Sequence, residues 1–286
     1  MNKTVKKDVE EILDEEVRVV SAIGGGSIAD SNIVETLSGQ RYFLKTGFSG
    51  KMFINEANGL KELSKPACIS VPNVIAAHSR FLLLELITPG LRQKDFYTVF
   101  GQQYAQLHKY TVPSFGFYED NFIGATPQKN TPSDTEKTNW TEFYFNKRVL
   151  FQYKLAEQNG YATPQLTKAF SVIESKIQDI LNGSEEPPAL LHGDLWSGNY
   201  ITGSEGEPVL IDPAVYYGHR EADLAMTYLF GGFSEQFYHS YNEEYPLKDG
   251  WEYRQNIYKL YHVLNHLNLF GTGYYSEALR LMEYYR

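Results

Sequence analysis

A chain of 286 residues, 42% of them hydrophobic and 15% aromatic, is long enough for one large domain or two coupled lobes around a sizeable core. Its formal net charge of −9 argues against a nucleic-acid-binding surface, and no apolar run is long enough to span a bilayer. The acidity is uneven: residues 1–89 carry 10 basic and 11 acidic side chains and residues 90–286 carry 16 and 24, so the second part would attract a cationic partner.

The first residues, Met1 to Lys7, are polar and contain no apolar signal region, so a cytoplasmic location is expected. Val5, Val9, Ile12 and Leu13 recur at helical spacing and predict a short amphipathic helix. Val17 to Val20 then read as a strand entering Gly24-Gly25-Gly26-Ser27. A glycine run between strands lets backbone N–H groups reach phosphate oxygens, which makes Gly25, Gly26 and Ser27 candidates for covering a nucleotide. Alone, such a run equally describes a turn, and the absence of G-x-x-x-x-G-K-[ST] excludes a P-loop NTPase.

Asn32 to Leu37 and Arg41 to Lys45, joined through Ser38-Gly39-Gln40, read as a β-hairpin. Period-two alternation puts Lys45 on the same face as Phe43. An ammonium there can bridge the α- and β-phosphates of a nucleotide if a carboxylate holds it, and Glu56, on the amphipathic segment Met52 to Leu63, is the natural partner. Taken singly, both would be read as solvated charges. Cys68, the one cysteine, cannot form an intramolecular disulfide and reads as a small buried hydrophobe in a reducing compartment.

The apolar run Phe81 to Ile87 predicts a buried strand that ends at Thr88-Pro89-Gly90 and divides the chain into residues 1–89 and 90–286. Phe96 to Tyr110 has helical periodicity and contains His108, a core or capping histidine. Residues 116–140 are rich in Pro, Asn, Thr and Gly and predict an extended loop of the kind that carries specificity. Residues 140–160, 166–181, 221–243 and 251–270 read as helices. His262 and His266 lie one turn apart on the last of these, but without a third ligand nearby they read as packed side chains and not as a metal site. No internal repeat is evident.

The most informative stretch is Leu190-Leu191-His192-Gly193-Asp194-Leu195-Trp196-Ser197-Gly198-Asn199, followed by Val209-Leu210-Ile211-Asp212. Phosphoryl transfer needs a carboxylate at the acceptor hydroxyl and oxygen ligands that hold Mg²⁺ against the phosphates. Asp194 and Asn199 have the D-x-x-x-x-N spacing of a catalytic loop, in which the Asp takes the acceptor proton and the Asn reaches a metal ion. Asp212, emerging from a buried strand, supplies the second metal ligand. Any one of these residues alone would suit a surface turn, but the joint spacing identifies a phosphotransferase site.

LLHGDLWSGN (190–199) and IDPAVYYGHREADLAM (211–226) closely resemble the fructosamine kinases, or ketosamine-3-kinases. These belong to the aminoglycoside-phosphotransferase-like branch of the protein-kinase-like fold. FGFYEDNFIGATPQKN (115–130) and YHVLNHLNLFGTGY (261–274) extend the likeness through nearly the whole chain. The resemblance implies an α+β, bilobal fold with a small antiparallel-sheet N-terminal lobe, a mostly helical C-terminal lobe and ATP between them. It implies phosphorylation of a sugar hydroxyl, the 3-hydroxyl, of a small or protein-bound ketosamine.

On that basis the main chain of Glu85 and Ile87 is assigned to adenine, His192 to bracing the catalytic loop, and Asp223 to anchoring that loop from a helix start. An aminoglycoside- or choline-type kinase would share every catalytic residue and is the alternative. A silent nucleotide-binding module conflicts with the intact set Lys45, Asp194, Asn199 and Asp212. Many members carry a cysteine in the glycine loop, whereas this loop reads Gly24 to Ala29 without one, so no disulfide switch is expected there. The oligomeric state stays open, with a monomer as the simplest expectation, and no nucleic-acid or membrane partner is expected.

Overall fold

The computed structural model describes residues 1–23, 29–48 and 50–286. The chain begins with α1 (Lys3–Leu13), capped by the Asn2 side chain, and enters β1 (Val17–Ile23), β2 (Asp30–Thr36) and β3 (Arg41–Thr46). After α2 (Met52–Ser64) come β4 (Val74–His78) and β5 (Phe81–Glu85). The strands form one antiparallel sheet in the order β1-β2-β3-β5-β4. The expected hairpin is β2–β3, closed by Gly39 N–H on the Thr36 carbonyl at 3.0 Å.

Alternation explains why the run in β5 is apolar throughout. Phe81 and Leu83 pack with Val5 and Val9 of α1, while Leu82 and Leu84 pack with Phe53, Ala57 and Leu60 of α2. Covered on both faces, the strand has no solvent side to mark with polar residues, and each such side chain contributes about 1.5–3 kcal/mol. The strand ends at Glu85 and not at Ile87 as expected. Glu85 N–H donates to the Asn73 carbonyl at 2.9 Å, its carboxylate accepts from the Asn73 side chain at 2.8 Å, and Pro89 soon removes a ladder donor.

The rest of the chain is mostly helical. In order come α3 (Phe96–His108), the short hairpin β6 (Asn121–Ile123) and β7 (Thr126–Gln128), α4 (Trp140–Tyr144), a π-helical turn (Phe145–Leu150), α5 (Phe151–Gln158) and α6 (Pro164–Leu181). Then follow β8 (Ala189–Leu191), β9 (Tyr200–Thr202), β10 (Pro208–Leu210), β11 (Tyr216–Gly218), α7 (Arg220–Thr227), α8 (Glu235–Glu244), α9 (Trp251–Phe270) and α10 (Tyr275–Glu283). Buried faces of α3, α6, α8 and α9 build one large core. α3 crosses α8 at Gly101, where a Cβ would lie 2.2 Å from Ser240 Oγ, so only glycine permits that approach.

Three expectations are corrected here. Residues 140–160 are not one regular helix: the π turn turns Arg148 inward, where it donates to Asn130 Oδ1 at 2.7 Å and stacks 3.9 Å over the Tyr216 ring. Residues 221–243 split into α7 and α8, because Phe230, Gly231 and Gly232 all take positive φ. Residues 116–140 are not a loose specificity loop throughout. Asn121, Gln128 and Asn130 are buried, and Asn121 and Gln128 donate to the Val215 and Ala214 carbonyls at 2.8 and 2.9 Å.

Candidate active site

Lys45 stands in β3 on the α2 side of the sheet, as does Phe43, while Leu44 between them faces α1. Its Nζ donates to Glu56 Oε1 at 2.7 Å and to Asp212 Oδ1. Burial alone would lower the ammonium, but the charges of Glu56 and Asp212 outweigh it and hold Lys45 above its ordinary pKa, so it stays charged. Desolvation pushes the Glu56 carboxyl up, with the Lys45 charge opposing. Asp212 lies just beyond β10 with φ 55°, a conformation that costs a non-glycine residue about 1 kcal/mol or more and recurs at functional sites. Its side chain is 45% exposed, which leaves carboxylate oxygen open to a ligand.

The catalytic loop runs from β8 to β9. Asn199 Nδ2 donates to the Asp194 carbonyl at 2.7 Å and to Asp194 Oδ2 at 3.1 Å, so the amide nitrogen is committed inward and Oδ1 is left for a metal. The Asn199 carbonyl accepts Ile211 N–H at 3.0 Å, which ties the loop to the strand that delivers Asp212. Desolvation, and then the Asp212 charge, push the Asp194 carboxyl above its ordinary range.

His192 is buried and braces the loop. Its Nδ1 accepts Asp194 N–H at 3.3 Å, so the proton is on Nε2, which donates to the Ile211 carbonyl at 2.9 Å. Desolvation lowers its pKa, in keeping with a neutral ring. Gly193 has φ 83°, and a Cβ there would lie 2.0 Å from the Ala214 carbonyl oxygen. Beneath the loop, Asp223 accepts from His192 N and Gly193 N at 2.7 and 2.8 Å, as the resemblance implied for a helix-start carboxylate.

The structure thus gathers Lys45, Glu56, Asp194, Asn199 and Asp212. Gly25, Gly26 and Ser27 lie outside the described residues. Of the hinge pair, Glu85 has its N–H committed to Asn73, while Ile87 N–H makes no hydrogen bond among the described residues. Asn199 Oδ1 and the Asp212 carboxylate are hard oxygen donors of the kind Mg²⁺ prefers, with waters and phosphates filling its remaining positions. His266 Nδ1 bonds the His262 carbonyl at 2.8 Å, and no group of three or more His, Cys, Asp or Glu that could hold a metal ion is found among the described residues.

Two sets of contacts at the site were not foreseen from the sequence. Tyr104 and His108 both bond Asp223, so His108 is a core histidine that also fixes the loop anchor. Beside the catalytic loop, Trp196 meets Phe230 at 5.8 Å between ring centroids, and Phe230 meets His266 at 4.8 Å. The local sequence signal for this aromatic wall is Phe230 followed by two glycines, all three of which take positive φ.

The model of the fructosamine kinase family matches residues 1–285. The chain is 39% identical over 275 residues to a chloroplastic protein-ribulosamine 3-kinase of Oryza sativa subsp. indica, covering 93% of this chain and 78% of the relative. A solved structure from Thermobifida fusca, assigned as a fructosamine-3-kinase, matches with a TM-score of 0.90 at 32% identity over 100% of this chain and 99% of that one. An aminoglycoside phosphotransferase solved with ADP bound shares the fold alone, with a TM-score of 0.65 at 13% identity over 100% of this chain and 99% of that one.

Proposed function

Because this chain belongs to the fructosamine kinase family, we propose that it is an ATP-dependent kinase that phosphorylates the 3-hydroxyl of a ketosamine sugar, free or protein-bound. The observation that carries this reading is the convergence of Lys45, Glu56 and Asp212 with a loop on which Asn199 holds the Asp194 carboxylate and accepts Ile211 N–H beside Asp212. Nucleotide binds between the lobes, residues 1–89 and 90–286, with the Glu85 carbonyl and Ile87 N–H at adenine. The backbone of Gly25, Gly26 and Ser27 covers the phosphates, and Lys45 holds the α- and β-phosphates.

Asp194 orients the acceptor hydroxyl and takes its proton as the hydroxyl oxygen bonds to the γ-phosphorus. The bond from that phosphorus to the bridging oxygen breaks, and ADP leaves with the electron pair. Asn199 and Asp212 hold Mg²⁺, which when bound neutralises charge on the phosphates. The chain acts in a reducing compartment such as the cytoplasm, in keeping with its single cysteine. No helix is long and apolar enough to cross a membrane among the described residues.

The test is ADP release with ribulosyl- and fructosyl-lysine, aminoglycosides and choline as acceptors. A ketosamine should give the highest kcat/KM, because polar groups built for one substrate's hydroxyls are left unpaired by another. Faster turnover of kanamycin or choline would move the protein to the alternative class with the same catalytic residues.

A further inference from the structure

Three contacts fasten the helix that carries Glu56 to the segment that follows Asp212 and to the loop beside it. Asn58 Nδ2 donates to Glu119 Oε1 at 2.8 Å. Gly59 lies so close that a Cβ would be 3.2 Å from Val215 Cγ2 and 3.5 Å from Pro213 Cγ. Tyr217 OH donates to Glu62 Oε1 at 2.8 Å. Positions 58, 59 and 62 form one face of α2 at i, i+1 and i+4, while Glu56 points from a neighbouring face to Lys45.

The Tyr217–Glu62 bond is the buried polar part of this fastening. Glu62 is buried, and its other partner, Lys65, binds it at 2.7 Å from a side chain that is 52% exposed, an ion pair of little strength. The bond borders an open groove of about 420 Å³ lined by Glu62, Tyr110, Phe117 and Tyr217, while the adjoining Leu63 is buried in the large core. A kinase needs its lysine–glutamate pair in place before phosphates can be held. Here the last turns of α2 are bolted to the strand beyond Asp212, which fixes both carboxylates on either side of Lys45.

We propose that Tyr217 is a positioning residue for the nucleotide site: through Glu62 it registers the helix bearing Glu56 on the segment bearing Asp212, so that Lys45 is held between two carboxylates before nucleotide arrives. This rests on the reading that Lys45, Glu56 and Asp212 hold the nucleotide. The bond joins the helix that bears Glu56 to the strand that follows Asp212, so its loss is read in nucleotide affinity, with the acceptor KM as the control because β11 also pairs with β8 at Leu190.

The experiment is calorimetric binding of Mg·ADP without acceptor, followed by steady-state kinetics. Tyr217→Phe keeps the ring and removes the donor; it should weaken Mg·ADP binding about three- to tenfold, the worth of one partly buried hydrogen bond. KM for ATP should rise in step while the acceptor KM is unchanged. Glu62→Gln retains an oxygen for Tyr217 and should bind as the parent does. Glu62→Ala should match Tyr217→Phe, and the double variant should be no weaker than Glu62→Ala alone. If Tyr217→Phe does not fold, Glu62→Ala gives the same readout. Parental Mg·ADP affinity in these variants, an equal rise in acceptor KM, or additive losses would overturn the proposal. Binding is read without acceptor, so failure of the parent to phosphorylate ketosamines would count against the activity and not against this coupling.

Discussion

Asp223, in the first turns of α7, accepts the backbone N–H of His192 at 2.7 Å and so holds the catalytic loop from below. Gly193 N–H, the Tyr104 hydroxyl and His108 Nε2 converge on the same carboxylate. Four donors from two separate parts of the chain, α3 and the loop after β8, thus meet one carboxylate, three at Oδ2 and one at Oδ1. Burial raises the Asp223 carboxyl, but the hydrogen bonds and charge of His108, with the other donors, hold it below its ordinary 3.8.

Asp223→Asn replaces an acceptor oxygen with a donor and should cost about 3 kcal/mol or more of folding stability at neutral pH, read by urea melts. A carboxyl depressed in the folded state contributes stability that is present above its unfolded pKa and lost as pH falls through its folded value. Parent stability should therefore fall on the acid side of 3.8, and the variant should lack this component. Equal acid sensitivity in both proteins would show that the anchor does not titrate.

Asp194→Asn should lower turnover by about 10² to 10⁴ while leaving Mg·ATP binding largely intact, because the lost carboxylate acts on the acceptor hydroxyl. Single-turnover phosphorylation and nucleotide titration separate the two effects. Near-parental turnover would remove Asp194 from the proton-transfer role.

Asp212→Ala removes the proposed metal ligand together with one of the two carboxylates on Lys45. It should weaken Mg·ATP binding much more than adenosine binding, since the hinge contacts involve neither group. Equal losses for the two ligands, measured by calorimetry, would assign Asp212 a folding role instead.

Cys68 is partly buried, and desolvation pushes its thiol above the ordinary value, which disfavours the reactive thiolate. Activity should survive mild oxidants and show no dependence on added reductant, and Cys68→Ser should behave as the parent. Oxidative inactivation that reductant reverses would instead make Cys68 an intermolecular link.

The proposed reacting groups stand out in the sequence because they are written locally. Asp194 and Asn199 sit on one loop, Asp212 ends the next strand pair, and the spacing that chemistry demands is a spacing along the chain. Lys45 and Glu56 were legible because alternation in a strand and the turn of a helix point them at each other once those two elements pack.

What supports these groups was not legible, since its partners are remote: Tyr104 bonds Asp223, Tyr217 bonds Glu62, and Gln128 bonds the Ala214 carbonyl. Arg148 faces inward from a π turn that interrupts its helix, and strand β5 ends at Glu85, whose N–H is taken by the remote Asn73 carbonyl. Periodicity records which face of an element is dry. It does not record which buried donor meets which buried acceptor; that is settled when the elements pack and each buried polar group must find a partner.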